Sequence, residues 1–399
     1  MEGTIRVKPN DRIANRVTCL PTSEIRRIHA RAEKIGGVVD LTLGDTYFST
    51  PIHIIDAAKK ALDSGYTHYT LNQGLPLLRE AIAEQASQEY GTTIGPDQIL
   101  VTSGVTQAIL YSILSVINPG DEVLIISPSY NSYPIQVNLA EGITKYVRSF
   151  PEEQYRLSYD RIEKLVTARS KMVVINNPTN PTGNVFEKRD VEIISEIARN
   201  HNLFILADEL YDKLVYDECR HYSLASVAGN EDRLLLINGP TKTYAMTGWR
   251  VGYVIAPNEL VPYMVRLQQT DGICAPAMAQ LATHAAITGP QDCVEEMKRE
   301  YTKRRDFVSQ ELKSCGTVES TPSRGTFFAF PSIMDNEEDA TEFVEWSLAK
   351  EKVAVVPGKI FGPPGTNCIR ISFACEMDSL VQGMRRLRAA LDSYKPLDQ

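Results

Sequence analysis

The chain has 399 residues, which is enough for two domains with large hydrophobic cores. Apolar residues make up 43% and charged residues 23%, which is ordinary for a globular protein. The formal net charge is −8 and no basic run stands out, so nucleic acid is not an expected partner.

The first twenty residues are polar and charged and do not resemble a signal peptide, and no apolar run is long enough to span a membrane. We therefore expect a cytoplasmic protein that does not bind membranes. The seven cysteines are scattered without a Cys-x-x-Cys pair, and the six histidines show no metal-binding spacing. This pattern favours a reducing compartment and argues against a disulfide framework or a metal site.

The chain is predicted to begin with an arm that carries one helix and a short strand. Ser23 is a candidate cap for a helix that runs to Ile35 before two glycines. The alternating residues 39–43 predict the strand. Thr50-Pro51 then signals a second helix. Its predicted apolar face holds Ile52, Ile55, Ala58 and Leu62.

From residue 75 onward, strand and helix patterns alternate. Helices are predicted over residues 75–88 and 107–116. The strand candidates are short apolar runs at 98–102, 122–126, 171–175, 203–207, 234–237 and 251–255. Short apolar runs with helices between them indicate a mostly parallel sheet that is covered on both faces. Polar residues follow five of these strands, and we expect the five strand ends to face one crevice.

The last third of the chain has a different pattern, which predicts a smaller α+β domain. Residues from about 259 to 312 are mainly helical, and a closing helix is predicted over 377–394. Strand candidates lie at 317–330, 353–356 and 368–373. We expect the N-terminal arm to join this domain.

Lys242 follows the buried strand at 234–237 and lies among small residues, far from other lysines. A lysine that is desolvated or placed near other cations has a lowered pKa and can form a Schiff base with an aldehyde. Arg250, eight residues later, offers a fork of donors that suits a phosphate. An aldehyde and a phosphate on one small molecule indicate pyridoxal phosphate. The alternative interpretation is a surface hairpin with ordinary basic residues.

Several separated motifs carry a family resemblance. They are Gly104-Val105-Thr106, Tyr130, Asn180-Pro181-Thr182-Gly183, Asp208-Glu209-Leu210-Tyr211, Lys242, the run from Met246 to Gly252, and Arg370. From about Gly44 to Arg370 the chain resembles the pyridoxal-phosphate enzymes of the aspartate aminotransferase superfamily, class I/II and fold type I. The resemblance implies an α/β fold with a large domain built on a mostly parallel seven-stranded sheet. The expected division is an arm at 1–48 that is part of the small domain, a large cofactor-binding domain at 49–285 and a small α+β domain at 286–399.

The resemblance also implies a role for each motif. Lys242 would hold the cofactor as a Schiff base and move protons, and Asp208 would pair with the pyridinium nitrogen. Tyr211 and Asn180 would donate to the phenolate oxygen. Lys242, Asp208 and Tyr211 form the implied catalytic set. The implied cofactor-binding residues are Tyr69, Gly104, Val105, Thr106, Tyr130, Asn180, Asp208, Tyr211, Thr241, Lys242 and Arg250.

Three of these residues have a simpler alternative interpretation. Asp208 could cap a helix, because Glu209-Leu210-Tyr211 follows it. The segment at 180–183 could be only a turn, and Tyr130 could be a core residue.

Tyr69 matches a tyrosine that reaches the phosphate of the neighbouring subunit. This match implies a homodimer with active sites shared across the interface.

Among the candidate substrate-binding residues, some match the family and others depart from it. Arg370 would grip the substrate α-carboxylate in a bidentate pair, with help from Asn180 and the backbone of Gly44. Asp45 and Asp271 stand where many relatives have other residues. They are candidates for contacting a cationic side chain, and the alternative is that both are solvated loop carboxylates.

Three functions follow from these features. The first is an aminotransferase that exchanges an amino group between an L-amino acid and a 2-oxo acid. The second is a lyase or cyclase that uses the same cofactor on a cationic amino acid, such as a hydroxylated arginine. The third is a cofactor-free binding protein built on the same fold, which the joint presence of Lys242, Asp208, Asn180, Arg250 and Arg370 disfavours.

Overall fold

The computed structural model describes residues 13–18, 20–316, 318–333 and 339–394. Its strands are β1 (Val39–Asp40), β2 (Ile99–Thr102), β3 (Glu122–Ser127), β4 (Ile143–Arg148), β5 (Ser170–Asn176), β6 (Phe204–Asp208), β7 (Leu234–Asn238), β8 (Gly252–Ile255), β9 (Phe328–Ala329), β10 (Val353–Ala354), β11 (Val356–Pro357) and β12 (Ile369–Ser372).

The α-helices in the same ranges are α1 (Asn15–Thr18), α2 (Glu24–Ile35), α3 (Ile52–Asp63), α4 (Pro76–Tyr90), α5 (Val105–Leu114), α6 (Ser132–Leu139), α7 (Tyr159–Glu163), α8 (Lys188–Asn200), α9 (Pro240–Thr243), α10 (Val261–Asp271), α11 (Ala277–Thr288), α12 (Asp292–Lys313), α13 (Thr341–Lys350) and α14 (Met377–Ser393). Among them no helix is long and apolar enough to cross a bilayer.

Seven strands form one sheet in the order β2-β8-β7-β6-β5-β3-β4. The pairs from β7 to β4 are parallel, whereas β8 runs antiparallel to both of its neighbours. The mostly parallel sheet is therefore confirmed. The edge strand β4 was not predicted, because its sequence mixes charged and apolar residues and buries only Val147.

Both faces of the sheet are covered, as predicted. Along β6, Leu206 packs into one hydrophobic cluster, and Ile205 and Ala207 pack into the cluster on the opposite side. Successive side chains of a strand point to opposite faces, so a strand that is apolar throughout must be buried on both sides. The cross-strand register places Asn176 at the end of β5 beside Asp208 at the end of β6.

The remaining strands lie in the smaller part of the fold. β11, β12 and β9 form an antiparallel sheet, and β1 of the N-terminal arm pairs in parallel with β10. The predicted strand at 317–330 is shorter than expected, since only Phe328–Ala329 is extended and paired in a regular ladder. Residue 317 and residues 334–338 lie outside the described ranges.

The helices at the N-terminal end test two local predictions. α2 begins after Ser23, whose Oγ accepts the Arg26 amide at 3.4 Å, and it stops at Gly36, where φ is 70°. That helix is confirmed. The predicted apolar face of α3 is wrong in part, because Ile52 is 66% and Leu62 is 45% exposed. The buried face instead consists of Ile54, Ala58 and Ala61.

The buried face of α3 is determined by its packing on α11. Ile54 and Ala58 join Ala282 and Ala286 of α11 in a small cluster, and alanines on both helices permit close approach. Periodicity alone could not show which of two apolar stripes faces this neighbour.

Candidate active site

A cavity of about 270 Å³ lies at the carboxyl ends of the parallel strands. Its lining includes eleven of the residues singled out by the sequence, namely Gly44, Val105, Thr106, Tyr130, Asn180, Asp208, Tyr211, Thr241, Lys242, Arg250 and Arg370. They come from separate strand ends and from the N-terminal arm. The predicted convergence on one crevice is therefore present.

Lys242 lies on α9, the single helical turn that follows β7. Its Nζ donates a hydrogen bond to the carbonyl oxygen of Gly44 at 2.5 Å. Burial lowers the pKa of this amine to about 8, the charge of Asp45 opposes that shift, and the charges of Arg370 and Arg250 add to it. An amine with this pKa is partly neutral near neutral pH, so it can act as a nucleophile or a base.

Arg250 and the start of α5 together form a candidate anion-binding site. The first backbone N–H groups of a helix have no intrahelical acceptor and attract anions. Gly104 precedes α5 with a φ of 92°, and a Cβ added there would lie 2.2 Å from Nη2 of Arg250. Only glycine lets the loop approach the guanidinium this closely. Arg250 itself is held by a bond from Nη1 to the Thr247 carbonyl oxygen at 2.9 Å.

Asp208 ends β6 as a buried carboxylate with two donors. Its Oδ2 accepts from the Tyr133 hydroxyl at 2.7 Å, and its Oδ1 accepts from the Leu210 amide at 3.2 Å. Burial raises the pKa of Asp208 to about 6, although the two hydrogen bonds oppose the shift. A carboxylate in this position would pair readily with a cationic group in the cavity.

A hydrogen-bonded chain runs from Asp208 across the strand ends to Arg370. Asn176 Nδ2 donates to the Asp208 carbonyl oxygen at 2.9 Å, and Asn176 Oδ1 accepts from the Asn180 amide at 2.8 Å. Asn180 Oδ1 then accepts from Arg370 Nη1 at 3.1 Å, and Arg370 Nη2 donates to the Thr42 carbonyl oxygen at 2.6 Å.

The guanidinium of Arg370 is buried and only partly satisfied. It stacks on the Phe328 ring at 4.3 Å and the Phe361 ring at 5.0 Å, and Nε has no partner among the described residues. Burial lowers the pKa of Arg370 to about 10. A buried cation that lacks a carboxylate partner is costly, so this site favours an anionic ligand.

Two tyrosines of the set pack edge-on against other aromatic rings. Tyr130 packs edge-on against Tyr133 with centroids 5.6 Å apart, and burial raises the pKa of its phenol. Tyr211 packs edge-on against Phe327 at 5.6 Å, and burial raises its pKa also, opposed by the nearby Arg370 charge. Both hydroxyls therefore stay protonated and can donate hydrogen bonds at neutral pH.

Comparison with known proteins identifies the family. The family model described as aminotransferase class I and II matches residues 36–387. The chain is 39% identical over 386 residues to an aspartate aminotransferase of Pyrococcus abyssi, with 96% of this chain and 99% of that protein covered. It is 40% identical over 386 residues to aromatic-amino-acid aminotransferase 2 of Thermococcus litoralis, with the same coverage.

The chain belongs to the class I and II aminotransferase family. A solved structure of the Thermus thermophilus aspartate aminotransferase with maleate superimposes with a TM-score of 0.90 at 32% identity and covers 95% of this chain and 99% of that chain. The fold is accordingly fold type I, and the family depends on pyridoxal phosphate. These relatives favour the aminotransferase interpretation over the lyase or cyclase alternative.

Four predicted residues of this aminotransferase lie outside the cavity lining, and one of them is Gly104, whose place beside Arg250 is described above. Tyr69 is 78% exposed, as expected of a residue that serves a neighbouring subunit. Asp45 is exposed on the loop above Lys242, and its Oδ1 accepts the Thr46 amide at 2.7 Å. Asp271 lies at the end of α10 and binds Gln107 and Tyr111 of α5 rather than facing the cavity. The structure therefore gives Asp271 two protein partners, and the substrate contacts of Asp45 and Asp271 stay predictions.

The sequence analysis missed several residues of the aminotransferase site. Ile25, Tyr133, Asn176, Leu210 and Thr247 also line the cavity. Tyr133 lies in the first turn of α6, just after the loop that carries Tyr130, and no local sequence pattern marked it as a site residue. Asn176 is the last residue of β5, and the rule that ligands bind at strand ends could have found it. The described ranges contain no cluster of three or more potential metal ligands.

Proposed function

We propose that the enzyme exchanges an amino group between an L-amino acid and a 2-oxo acid, with pyridoxal phosphate bound in the 270 Å³ cavity. The observation that carries the proposal is the convergence of Lys242, Asp208, Arg250 and Arg370 on that one cavity. Each of the four has a matching partner group in the cofactor or in an amino acid.

The residues present fit the cofactor. Arg250, Thr241 and the first N–H groups of α5 would hold the phosphate, and Gly104 leaves room for it. Asp208 would hold the protonated ring nitrogen. Tyr211 and Asn180 would donate to the phenolate oxygen, and Tyr130 would stack on the ring.

When bound, pyridoxal phosphate supplies an electron sink for the charge left at the substrate Cα. Lys242 Nζ would be the base that removes the Cα proton and the acid that returns it at the cofactor carbon C4′. Its pKa of about 8 suits both directions of transfer near neutral pH. The reverse sequence with a 2-oxo acid would complete the exchange.

Arg370 would bind the α-carboxylate of the substrate. Its Nε has no partner in the part of the chain that the structure describes, and its bonds to Asn180 and Thr42 fix the plane of the guanidinium. A carboxylate there would neutralise a buried charge and align Cα with Lys242. The relatives named above point to aspartate and aromatic amino acids as the first donors to test.

A cytoplasmic homodimer is part of the same proposal. Exposed apolar side chains cluster on α3 and the loop after it, at Ile52, Leu62, Tyr66, Tyr69 and Leu71. A patch of this kind is typical of a surface that is covered by another subunit. The six described cysteines are all free, as a reducing compartment would leave them.

The test is amino transfer from ¹⁵N-labelled donors to 2-oxoglutarate, followed by mass spectrometry of the glutamate formed. The wild type should transfer ¹⁵N from at least one donor. Lys242→Ala should lose that activity and the mass increment that borohydride fixes after cofactor binding, whereas the exposed-lysine control Lys60→Ala should keep both. Release of labelled ammonia without labelled glutamate, or full activity in Lys242→Ala, would contradict the proposal.

A further inference from the structure

Asp271 ties the end of α10 to the first turns of α5. Its Oδ2 accepts from Gln107 Nε2 at 2.7 Å and from the Tyr111 hydroxyl at 2.8 Å. Gln107 Oε1 in turn accepts the backbone N–H of Ser103 at 2.7 Å. One carboxylate is thus linked through one side chain to the loop that precedes α5.

The direction of these bonds follows from chemistry. An ionised carboxylate only accepts, so it selects the amide orientation of Gln107 in which Nε2 faces Asp271. In that orientation Oε1 faces Ser103, where an acceptor is needed. The Tyr111 hydroxyl bonds the same carboxylate from a second side. Burial and the neighbouring Asp271 raise the pKa of the Tyr111 phenol, so the hydroxyl remains a donor.

The loop held in this way has little room to move. A Cβ on Gly104 would lie 2.2 Å from Arg250 Nη2, and a Cβ on Gly252 would lie 2.4 Å from the Val105 amide nitrogen. The backbone of the loop is therefore packed directly against its neighbours. A small displacement of Ser103 would change where the amides of Val105 and Thr106 point.

We propose that Asp271 is a positioning residue for the cofactor phosphate, acting through Gln107 on the loop from Ser103 to Thr106. This inference rests on the proposed function, in which that loop and Arg250 hold the phosphate. It gives Asp271 a role distinct from substrate contact.

If Asp271 acts only through its charge, or instead by positioning the loop, the loss of its carboxylate should change anion binding in opposite directions. Removing a negative charge near an anion site should strengthen anion binding by Coulomb's law. Removing an anchor of the loop should weaken it. Asp271→Ala therefore separates the two effects by the sign of the change.

The experiment compares dissociation constants of pyridoxal phosphate and of pyridoxal, which lacks the phosphate, for the cofactor-free protein by absorbance titration. Asp271→Ala should bind pyridoxal phosphate about threefold to tenfold more weakly, the range of one lost hydrogen bond. It should bind pyridoxal as the wild type does. Gln107→Leu should show the same selective loss, and the double variant should be no weaker than either alone.

Glu259→Gln is the matched control, since Glu259 lies just before α10 and makes no hydrogen bond or ion pair with the part of the chain that the structure describes. Unchanged or tighter pyridoxal phosphate binding by Asp271→Ala, or an equal loss for pyridoxal, would overturn the inference. If Asp271→Ala does not fold, Gln107→Leu and Tyr111→Phe decide by the same readout. A wild type that binds no pyridoxal phosphate would instead refute the proposed function.

Discussion

At Asp208, one hydrogen-bond donor influences the pH range in which the carboxylate is charged. Burial pushes the pKa of its carboxyl upward to about 6, and the Tyr133 hydroxyl opposes that shift. Below its pKa the carboxyl is neutral and could not stabilise the protonated ring nitrogen with which we propose that it pairs. The Tyr133 bond therefore widens the pH range in which Asp208 is charged.

Replacing Tyr133 with phenylalanine should move the acid limb of the activity profile to higher pH. A hydrogen bond to a charged group contributes about 1.5–3 kcal/mol, which corresponds to a shift of about one pH unit or somewhat more. The measurement is kcat/KM for amino transfer between pH 5 and 9. Tyr155→Phe is the control, because Tyr155 is similarly buried and is not bonded to Asp208. An acid limb that stays in place would show that Tyr133 only fills space.

Lys242 should make the stability of the cofactor-free protein depend on pH. Its pKa falls from 10.5 to about 8 on folding, so between these values the unfolded chain binds more protons than the folded one. Stability then rises with pH through that window and gains nothing from this group below pH 8.

Relative to Lys242→Met, the wild type should therefore gain thermal stability as the pH rises from about 8 to 10.5. Below that window both states of the wild type carry the proton, and the variant, which buries no charge, should have the higher Tm. Calorimetry of both cofactor-free proteins at several pH values tests this. Lys60→Met should follow the wild type, since Lys60 is exposed. A constant difference between wild type and Lys242→Met across the window would contradict it.

At the scale of helices and strands, the outcome of α3 shows what periodicity can and cannot decide. The helix itself was predictable from Thr50-Pro51 and the apolar spacing. Its orientation was not, because it depends on α11, more than two hundred residues away in sequence. Ile52 and Leu62 lie on the exposed side of α3, whereas Ile54, Ala58 and Ala61 lie on the side that packs inside the subunit.

The exposed stripe of α3 predicts that Leu62→Glu will dissociate the proposed dimer. Burying a leucine side chain contributes about 1.5–3 kcal/mol, so its loss together with a new charge should raise the dissociation constant about tenfold or more. Light scattering over a concentration series measures this. Val381→Glu on α14 is a matched control, because Val381 is 44% exposed against 45% for Leu62. Equal dissociation of both variants, or of neither, would argue against this face as the interface.

More of the candidate site than of the fold's details could be predicted from the sequence, and the reason is physical. Lys242, Asp208 and Asn180 each follow an apolar strand, and parallel strands bring such ends together whatever the loops do. Tyr133 and Asp271 act through contacts between separate elements, with α6 touching β6 and α10 touching α5. Such contacts leave no local pattern in the sequence. The edge strand β4 was missed because it is half solvated and lacks a continuous apolar run.

At the scale of the whole molecule, the N-terminal arm connects the smaller part of the fold to the active site. β1 pairs with β10, and the chain continues to Gly44, whose carbonyl oxygen accepts from Lys242 Nζ. This continuity supports our proposal that the arm through residue 48 belongs with residues 286–399 as one unit, beside a large domain at 49–285. The position of Gly44 then depends on how firmly the arm is held.

Arg386 of α14 contacts the arm directly at its entry to β1. Its Nη1 donates to the carbonyl oxygens of Gly37 and Lys352, both at 2.8 Å, and so bridges the two strands where they begin to pair. The side chain of the neighbouring Arg385 is exposed and makes no hydrogen bond or ion pair within the described ranges, which makes Arg385→Ala a matched control.

Arg386→Ala should loosen the arm without unfolding the large sheet. Losing partly exposed bonds to two carbonyls should cost about 1 kcal/mol, which corresponds to about fivefold faster amide exchange where opening is local. Hydrogen–deuterium exchange should show this over residues 37–43, with β5 and β6 unchanged, and KM should rise because Gly44 is less well placed. If exchange accelerates equally in the arm and the large sheet, the arm is not a separate unit held by Arg386. If Arg385→Ala gives the same local effect, the charge of α14 rather than the two carbonyl bonds holds the arm.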